Sequence, residues 1–458
     1  MNQHGEEILR AALLGDALGR PLNGLKEGHV AQSVGGAPEG FLDDPVLFPD
    51  KPERNMLPGV HSALGQRLLA ATAMMGPDDA GREPVARACG LLAELKGGDE
   101  DEGFRWGALR GAGRPLRRAL SRWAEEYPWE EADHRAKTEE SEGIGAAPLG
   151  LVTVALGLED AAGWALRLAR CTHYREMAVM GAVAVADLTR LVLDSGGGKR
   201  IDSAKIMEKL RESLRLREDA YRKEHSRAWR DIGWSQPEAR LSDALSPVAS
   251  LLHEENDDLA IKTIVNTATE CRPATPVKHV QHGFAAASLP WAIYRALGPL
   301  SAVHALEDIQ RRGGESSAVG AIVAGLMVAR HGAECLPEEW RARLLAKSSA
   351  PWIDASAWQA DEAAWTQREE AMRDPLREAL RKAEARDIAR GKADKKPTQK
   401  AGLPNQDEVP FAPPPHLWLK PGEEEDPDKK RILKEARGKR KIDWKEERKK
   451  KKGNGREN

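Results

Sequence analysis

Hydrophobic residues recur with a helical period along most of the chain before residue 347. Leu64, Leu68, Ala71 and Met75 are spaced three and four positions apart, and the stretch from Met177 to Leu191 repeats this pattern. Such spacing places the apolar side chains on one face of an α-helix. Alternating apolar and polar runs, which are typical of β-strands, are missing, and Ala, Leu, Glu and Arg are abundant. The pattern therefore predicts an all-α domain.

Composition narrows the class of protein further. No basic-then-apolar leader follows Met1, and the most apolar stretch, around Met177 to Leu193, is broken by Asp187 and Arg190. We therefore expect neither secretion nor a membrane-spanning segment. The four cysteines have no paired metal-ligand spacing, which is typical of reduced thiols in a cytoplasmic protein; they are Cys89, Cys171, Cys271 and Cys335.

The character of the chain changes after residue 347. Residues 348–392 are rich in Ala, Glu and Arg and predict a charged helical extension with Trp358, Trp365 and Met372 as apolar anchors. Residues 393–458 are proline-rich and then polybasic, and this composition predicts a mostly disordered tail. Within it, Val409–Leu419 is apolar and extended, and it could contact either the domain or a partner.

The end of the tail is strongly basic. From Lys429 onward, lysine and arginine exceed the acids by roughly ten charges, whereas the whole chain has a net charge of -2. One interpretation is a tail that folds back onto the acidic domain. The other is a partner with many negative charges, such as nucleic acid or another polyanion bound through residues 429–458.

The segment from Arg312 to Gly332 is the most informative part of the sequence. A glycine pair is followed by Glu315, Ser316 and Ser317, and then by a run with apolar residues at helical spacing. This order predicts a polar turn at the N-terminus of a helix. Backbone N–H groups and the helix dipole favour anions at such a position.

Further motifs stand in a fixed order around this segment. They are Ala11-Ala-Leu-Leu-Gly-Asp-Ala-Leu-Gly-Arg-Pro21, Gly145-Ala-Ala-Pro-Leu-Gly-Leu151, Thr172-His173, Ser288-Leu-Pro-Trp-Ala-Ile-Tyr294 and Pro337-Glu-Glu-Trp340. Together they resemble the ADP-ribosylglycohydrolase family, which includes dinitrogenase reductase-activating glycohydrolase. The resemblance implies an orthogonal helical bundle over residues 1–347.

The family cleaves glycosidic bonds to ADP-ribose with two magnesium or manganese ions, held by acidic turns at two helix starts. Here the first of these turns falls on Ser62, Ala63, Leu64 and Gly65. The second falls on Glu315, Ser316, Ser317 and Ala318. Hard divalent ions prefer carboxylate oxygens, and only Glu315 supplies one. The resemblance therefore implies a degenerate site, with no metal cofactor and with Glu315, Ser316 and Ser317 as vestigial catalytic positions.

The ligand contacts that the resemblance implies are altered as well. Asn23 occupies the position of a glutamate that reaches the substrate in the family, and the loop around Gly143 and Gly145 is about four residues shorter. We expect these residues, together with Ser316, to line the ligand site. His173 matches a histidine of the family pattern, and we expect it to be structural.

Two hypotheses from different classes follow. The first is a cytoplasmic pseudoenzyme, a monomeric binding or scaffold module that retains at most an ADP-ribose-like ligand. The alternative is an active ADP-ribosyl hydrolase with a remodelled magnesium or manganese site built on Glu315, Ser316 and Ser317. A third arrangement, in which Asp43 and Asp44 supply the missing carboxylates, stays open from the sequence.

The tail yields a direct prediction. If residues 429–458 bind nucleic acid, their removal abolishes co-purification of RNA or DNA, and binding by the intact chain falls steeply with salt because phosphate contacts release counterions. The measurement is absorbance at 260 nm of the purified proteins and a titration at several salt concentrations. Binding that survives truncation or ignores salt contradicts this role.

Overall fold

The computed structural model describes residues 1–48, 55–74, 83–95, 109–124, 141–196, 201–231, 239–272, 275–347 and 362–389 of the 458. These residues form α-helices joined by turns and short 3-10 segments, and no strand occurs among them. The prediction of an all-α fold is confirmed. The predicted tail, with Val409–Leu419 and the polybasic end, lies outside the described residues, as does Trp358.

The helices are numbered in chain order. They are Gln3–Gly19 (α1), Glu27–Val34 (α2), Ala63–Met74 (α3), Pro84–Glu94 (α4), Arg114–Ala124 (α5), Leu149–Ala155 (α6), Ala161–Arg170 (α7), Glu176–Asp194 (α8), Ser203–Asp231 (α9), Leu241–Ala244 (α10), Val248–Glu254 (α11), Asp257–Cys271 (α12), Ala285–Leu297 (α13), Ala302–Arg312 (α14), Ser316–His331 (α15), Glu338–Lys347 (α16) and Glu362–Ala389 (α17).

Among the described helices, α1 and α15 approach each other closely and run in opposite directions. Gly15 lies against Gly320, and one turn further Gly19 lies against Ser316, so closely that an added Cβ atom at either glycine of α1 would overlap the backbone of α15. Glycine is required here because any side chain would force the two backbones apart. Polar residues stand at the C-terminal end of α1 and at the N-terminal end of α15. The close antiparallel approach of the two helices brings these ends together.

Helix α8 lies deep in the core, and small and medium residues fill its surface. Most of its residues from Met177 to Val192 are buried. Gly150 of α6 packs on the carbonyl of Ala182, and α7 and α9 also pack on α8. A helix that is apolar on nearly every side belongs in the interior of a large domain, which explains why its sequence shows so little polar face.

Helix α17 accounts for the described part of the predicted charged extension. Its Leu380 and Ala383 are buried, and Asn55 donates from Nδ2 to Oε1 of Glu384 at 2.9 Å. The hydrogen bond attaches α17 to the segment that precedes α3. None of the described helices has the length and apolar composition needed to span a bilayer.

The contact between α1 and α15 can be tested with a single methyl group. A Cβ atom at Gly320 would lie 2.5 Å from the carbonyl oxygen of Gly15. We expect Gly320→Ala to lower the free energy of unfolding by about 1–3 kcal/mol, since overpacking shifts the backbone. Chemical denaturation provides the measurement.

The matched control is Gly28→Ala. Gly28 is a helical glycine in α2, with no atom within 4 Å of the added Cβ. This variant is expected to be neutral or to gain up to about 1 kcal/mol. Equal effects at the two positions would argue against a tight helix contact.

Candidate functional site

Asp16 is the centre of the polar cluster between α1, α3 and α15. Its side chain is fully buried, and its carboxylate accepts hydrogen bonds from the backbone N–H of Ser62 at 2.6 Å and from that of Gly65 at 3.2 Å. It also accepts from Ser62 Oγ at 2.8 Å and from Ser317 Oγ. Four donors from two other segments therefore converge on one carboxylate, which has about four lone-pair positions.

The start of α3 explains two of these bonds. The first N–H groups of a helix lack partners within it, and a negative charge is favoured there. Ser62 Oγ accepts from the N–H of Leu64 at 3.0 Å, while Asp16 accepts from the N–H groups of Ser62 and Gly65. Asp16 thus acts as a cap for α3, supplied by a different helix.

His61 lies beside the same turn. A Cβ atom at Gly65 would lie 2.6 Å from Cβ of His61 and 3.0 Å from Oδ2 of Asp16, so the histidine side chain fills the space that a larger residue at position 65 would need. Nε2 of His61 lies 2.8 Å from Nε2 of Gln66. Burial, and then the charge of Arg110, lower the pKa of His61 well below its usual value. The imidazole is therefore neutral.

The second turn begins with a glycine pair in the left-handed region. Gly313 has φ 63° and Gly314 has φ 60°, a conformation that favours glycine. The turn is fixed from both sides: Gly314 donates to the carbonyl of Leu25 at 2.8 Å, and Glu315 donates to that of Gln281 at 2.8 Å. This geometry places residues 315–317 at the start of α15, as the sequence predicts.

The residues of this second turn point in different directions. Ser316 Oγ donates to the carbonyl of Gly19 at 2.8 Å, whereas Ser317 Oγ donates to Asp16. The N–H of Ser317 donates to Oδ1 of Asn23 at 3.3 Å, so Asn23 caps α15. The side chain of Glu315 lies against Gly283, where an added Cβ atom would be 2.8 Å from Cγ of Glu315. Ala318 is buried in the core.

The predicted ligand loop is held at both ends. Gly143 forms an isolated β-bridge with Phe284, and the N–H of Ile144 donates to the carbonyl of Gly283 at 2.8 Å. Since Gly283 also contacts Glu315, this end of the loop lies close to the second turn. The carbonyl of Gly145, at the other end, accepts from Arg67 at 3.1 Å.

Arg67 links this loop to the segment before α8. Its guanidinium also donates to Oγ1 of Thr172 at 2.9 Å, and Thr172 Oγ1 lies 2.8 Å from Nδ1 of His173. Burial lowers the pKa of Arg67 to about 10, so it stays charged at neutral pH. Burial, followed by the charge of Arg67, lowers the pKa of His173 to about 3, so His173 is neutral. This is a buried hydrogen-bonded histidine, as expected for a structural residue.

Asp43 and Asp44 do not join the cluster. Both are exposed, and Asp43 lies 3.5 Å from Arg343 of α16. The structure therefore brings together Asn23, Ser62 and Ser317 around α1, and places Gly143 near Glu315. Asp43 and Asp44 therefore do not supply carboxylates at the start of α3.

Arg67 contacts the ligand loop, although no sequence pattern marks it as a site residue. Arg20 belongs to the motif Ala11–Pro21, which does not mark it as a ligand contact. Arg67 follows Gln66 in the buried face of α3, and Arg20 follows Asp16 by four positions at the end of α1. The spacing of Asp16 and Arg20 is a signal available in the sequence, because residues four apart share one face of a helix.

The family model described as ADP-ribosylglycohydrolase matches residues 6–387. A solved structure titled "ADP-ribosylglycohydrolase-related protein complex" is similar at 19% sequence identity over 78% of this chain and 100% of that chain, with a TM-score of 0.43. No protein of curated function matches the sequence.

The fold therefore defines a class: an all-α helical bundle with polar turns at the starts of α3 and α15. Because the family model covers most of its length, the chain belongs to the ADP-ribosylglycohydrolase family. The resemblance drawn from the short motifs is thereby confirmed.

The donor set at the two turns does not fit a pair of divalent ions. Asp16 and Glu315 carry the carboxylates that lie at the turns, and the oxygens of Asp16 already accept four hydrogen bonds. Among the residues that the structure describes, no group of three or more His, Cys, Asp or Glu side chains could hold a metal. Magnesium and manganese require several oxygen ligands, mostly charged.

The role of Asp16 gives a prediction about stability. Asp16→Asn replaces one acceptor oxygen with an amide that cannot accept, so at least one of the four donors loses its partner. We expect the free energy of unfolding to fall by roughly 2–4 kcal/mol, measured by chemical denaturation. Asp43→Asn, at an exposed position, is the control and should change it by less than about 0.5 kcal/mol. An Asp16→Asn variant as stable as the wild type would show that the hydrogen bonds to Asp16 contribute little to the free energy of unfolding.

Proposed function

We propose that this protein is a pseudoenzyme of its family, a binding or scaffold module that has lost the dinuclear metal site. The observation that carries the proposal is the set of side chains at the starts of α3 and α15: Ser62, Ala63, Leu64 and Gly65 bring no carboxylate, and Glu315 is the one carboxylate among residues 315–318. A carboxylate that serves as a metal ligand must present free lone pairs to the ion. The neighbouring Asp16 carboxylate does not replace the missing ligands, because its lone pairs accept from Ser62, Gly65 and Ser317.

The side chains at the first turn argue in the same direction. Ala63 is buried, Leu64 is apolar and Gly65 carries no side chain, so the start of α3 offers no side-chain oxygen except Ser62 Oγ. Ser62 Oγ both donates to Asp16 and accepts from Leu64. Without ligands at this turn, a water near an anomeric carbon has no metal to lower its pKa.

The alternative, an active hydrolase with a remodelled site, needs Glu315, Ser316 and Ser317 to act together. Ser316 Oγ is bonded to the backbone of α1, Ser317 Oγ to Asp16, and Glu315 extends toward Gly283. These three side chains diverge, which favours the pseudoenzyme. Restoring the first turn would also require a change at His61, because a threonine at position 65 would overlap its side chain.

The proposal also covers the ligand, the cellular compartment, the oligomeric state and the domain bounds. We infer that an ADP-ribose-like molecule would bind near Gly143, Gly145, Asn23 and Ser316 without turnover, and that the polybasic end binds a polyanion. We also infer a cytoplasmic monomer whose domain covers residues 1–347, with the extension and tail beyond it. The proposed compartment is supported by the four cysteines of the sequence, which are far apart and have no paired spacing.

The proposal predicts that magnesium and manganese leave the protein unchanged. Neither ion should raise the thermal unfolding temperature, because a ligand stabilises only a state that binds it. No ADP-ribose should be released from ADP-ribosylated arginine, serine or small-molecule substrates, as measured by chromatography.

An active member of the family, assayed in the same buffers, is the positive control for both measurements. Metal-dependent release of ADP-ribose by the wild type that disappears in Glu315→Ala would establish the remodelled hydrolase instead. A clear thermal shift with magnesium would contradict the loss of the metal site even without turnover.

A further inference from the structure

The segment that leads into α8 is held by α9. The hydroxyl of Tyr221 donates to the carbonyl of Tyr174 at 2.9 Å, and the guanidinium of Arg222 donates from Nε and Nη2 to Glu176 at 2.7 and 2.8 Å. All four residues are buried. Burial raises the pKa of Tyr221, so its hydroxyl keeps the proton that it donates. Two consecutive residues of α9 therefore fix the start of α8 and the residues just before it.

The same segment carries a contact to the proposed ligand loop. Thr172 is fully buried, and its Oγ1 accepts from Nη2 of Arg67 at 2.9 Å. Nη1 of the same guanidinium donates to the carbonyl of Gly145 at 3.1 Å. Thr172 lies two residues before Tyr174, the residue whose carbonyl α9 holds. A displacement of the backbone at Tyr174 would therefore move Thr172 away from Arg67.

Arg67 makes the position of the loop depend on Thr172. A guanidinium is planar and rigid, so its two hydrogen bonds cannot be adjusted independently of each other. The loss of either bond leaves a buried donor without that acceptor, which is unfavourable. The carbonyl of Gly145 is thus connected to α9 through hydrogen bonds and the short backbone of residues 172–174.

We propose that Tyr221 and Arg222 of α9 are positioning residues for the ligand loop. They hold the segment that leads into α8, and this segment fixes the carbonyl of Gly145 through Thr172 and Arg67. The inference rests on the proposed binding of an ADP-ribose-like ligand near Gly145. It also gives α9 a route to the ligand site, because a displacement of this helix would loosen the loop.

The test uses Tyr221→Phe, which removes the donor to Tyr174 and keeps the ring that packs edge-on against His225. Backbone hydrogen exchange over residues 141–151 is measured by mass spectrometry on the full chain without ligand. We expect exchange in this peptide to accelerate roughly fivefold, because a buried carbonyl that has lost its donor favours local opening. The affinity for ADP-ribose, measured by calorimetry, should fall by a similar factor.

The matched control is Ser213→Ala, which also removes one hydroxyl donor from α9. Ser213 donates to Oδ2 of Asp187 at 2.8 Å, well beyond the start of α8. Exchange over residues 141–151 should stay unchanged in this variant. The peptide of α15, residues 316–331, reports on global opening and should exchange alike in all variants.

The connection through Thr172 is tested by Thr172→Val, which removes the hydroxyl that accepts from Arg67. In this background, Tyr221→Phe should accelerate exchange by less than about twofold, because the contact to the loop is already absent. Arg222→Lys keeps the charge but loses the two-pronged contact with Glu176, and it should act like Tyr221→Phe.

Three outcomes would overturn the inference: unchanged exchange over residues 141–151 in Tyr221→Phe, an equal acceleration in Ser213→Ala, or additive effects with Thr172→Val. If Tyr221→Phe does not fold, Arg222→Lys decides by the same criteria. A wild type that does not bind ADP-ribose rejects the proposed ligand, whereas exchange still decides the role of α9. A wild type that binds it, with equal affinity and equal exchange in the variants, rejects the role of α9 alone.

Discussion

The buried carboxylate of Asp16 is the interaction on which the polar centre of this protein depends. It caps α3 although it belongs to α1, and it accepts a hydrogen bond from the hydroxyl of Ser317 in α15. A group of this kind is stabilising only when each of its acceptor positions has a donor, because an unpaired buried charge is far more unfavourable than the hydrogen bonds are favourable. The start of α3, the end of α1 and the start of α15 are consequently fixed as one unit.

That unit requires the close approach of α1 and α15. The glycines at positions 15, 19 and 320 let the two backbones touch, and the hydroxyl of Ser316 then reaches the carbonyl of Gly19. The hydroxyl groups at the start of α15 can therefore reach their partners only because small residues line the contact between α1 and α15. Larger side chains would separate the helices and remove the partner of Asp16.

Small and hydroxyl-bearing residues at the two polar turns have a physical logic within this geometry. Several carboxylates at one point repel each other unless a cation lies between them. Serine at positions 62 and 317, glycine at 65 and alanine at 63 add no negative charge there, and Ser62, Gly65 and Ser317 donate to the Asp16 carboxylate of α1. Neutral His61 fills the space next to Gly65 without adding charge.

The sequence by itself determined the helical class, the family and the positions of both polar turns, because helical periodicity and glycine-led helix starts are local patterns. It also marked Asn23, Ser62 and Ser317 as site residues, although through family correspondence and not through their contacts. Only the tertiary structure decided that these three residues meet at Asp16 and α15, that Ser316 turns to the backbone of α1, and that Asp43 stays at the surface. Such facts depend on how helices far apart in the sequence approach each other. That approach is set by packing at glycines 15, 19 and 320, and no local pattern encodes which distant backbone each glycine will meet.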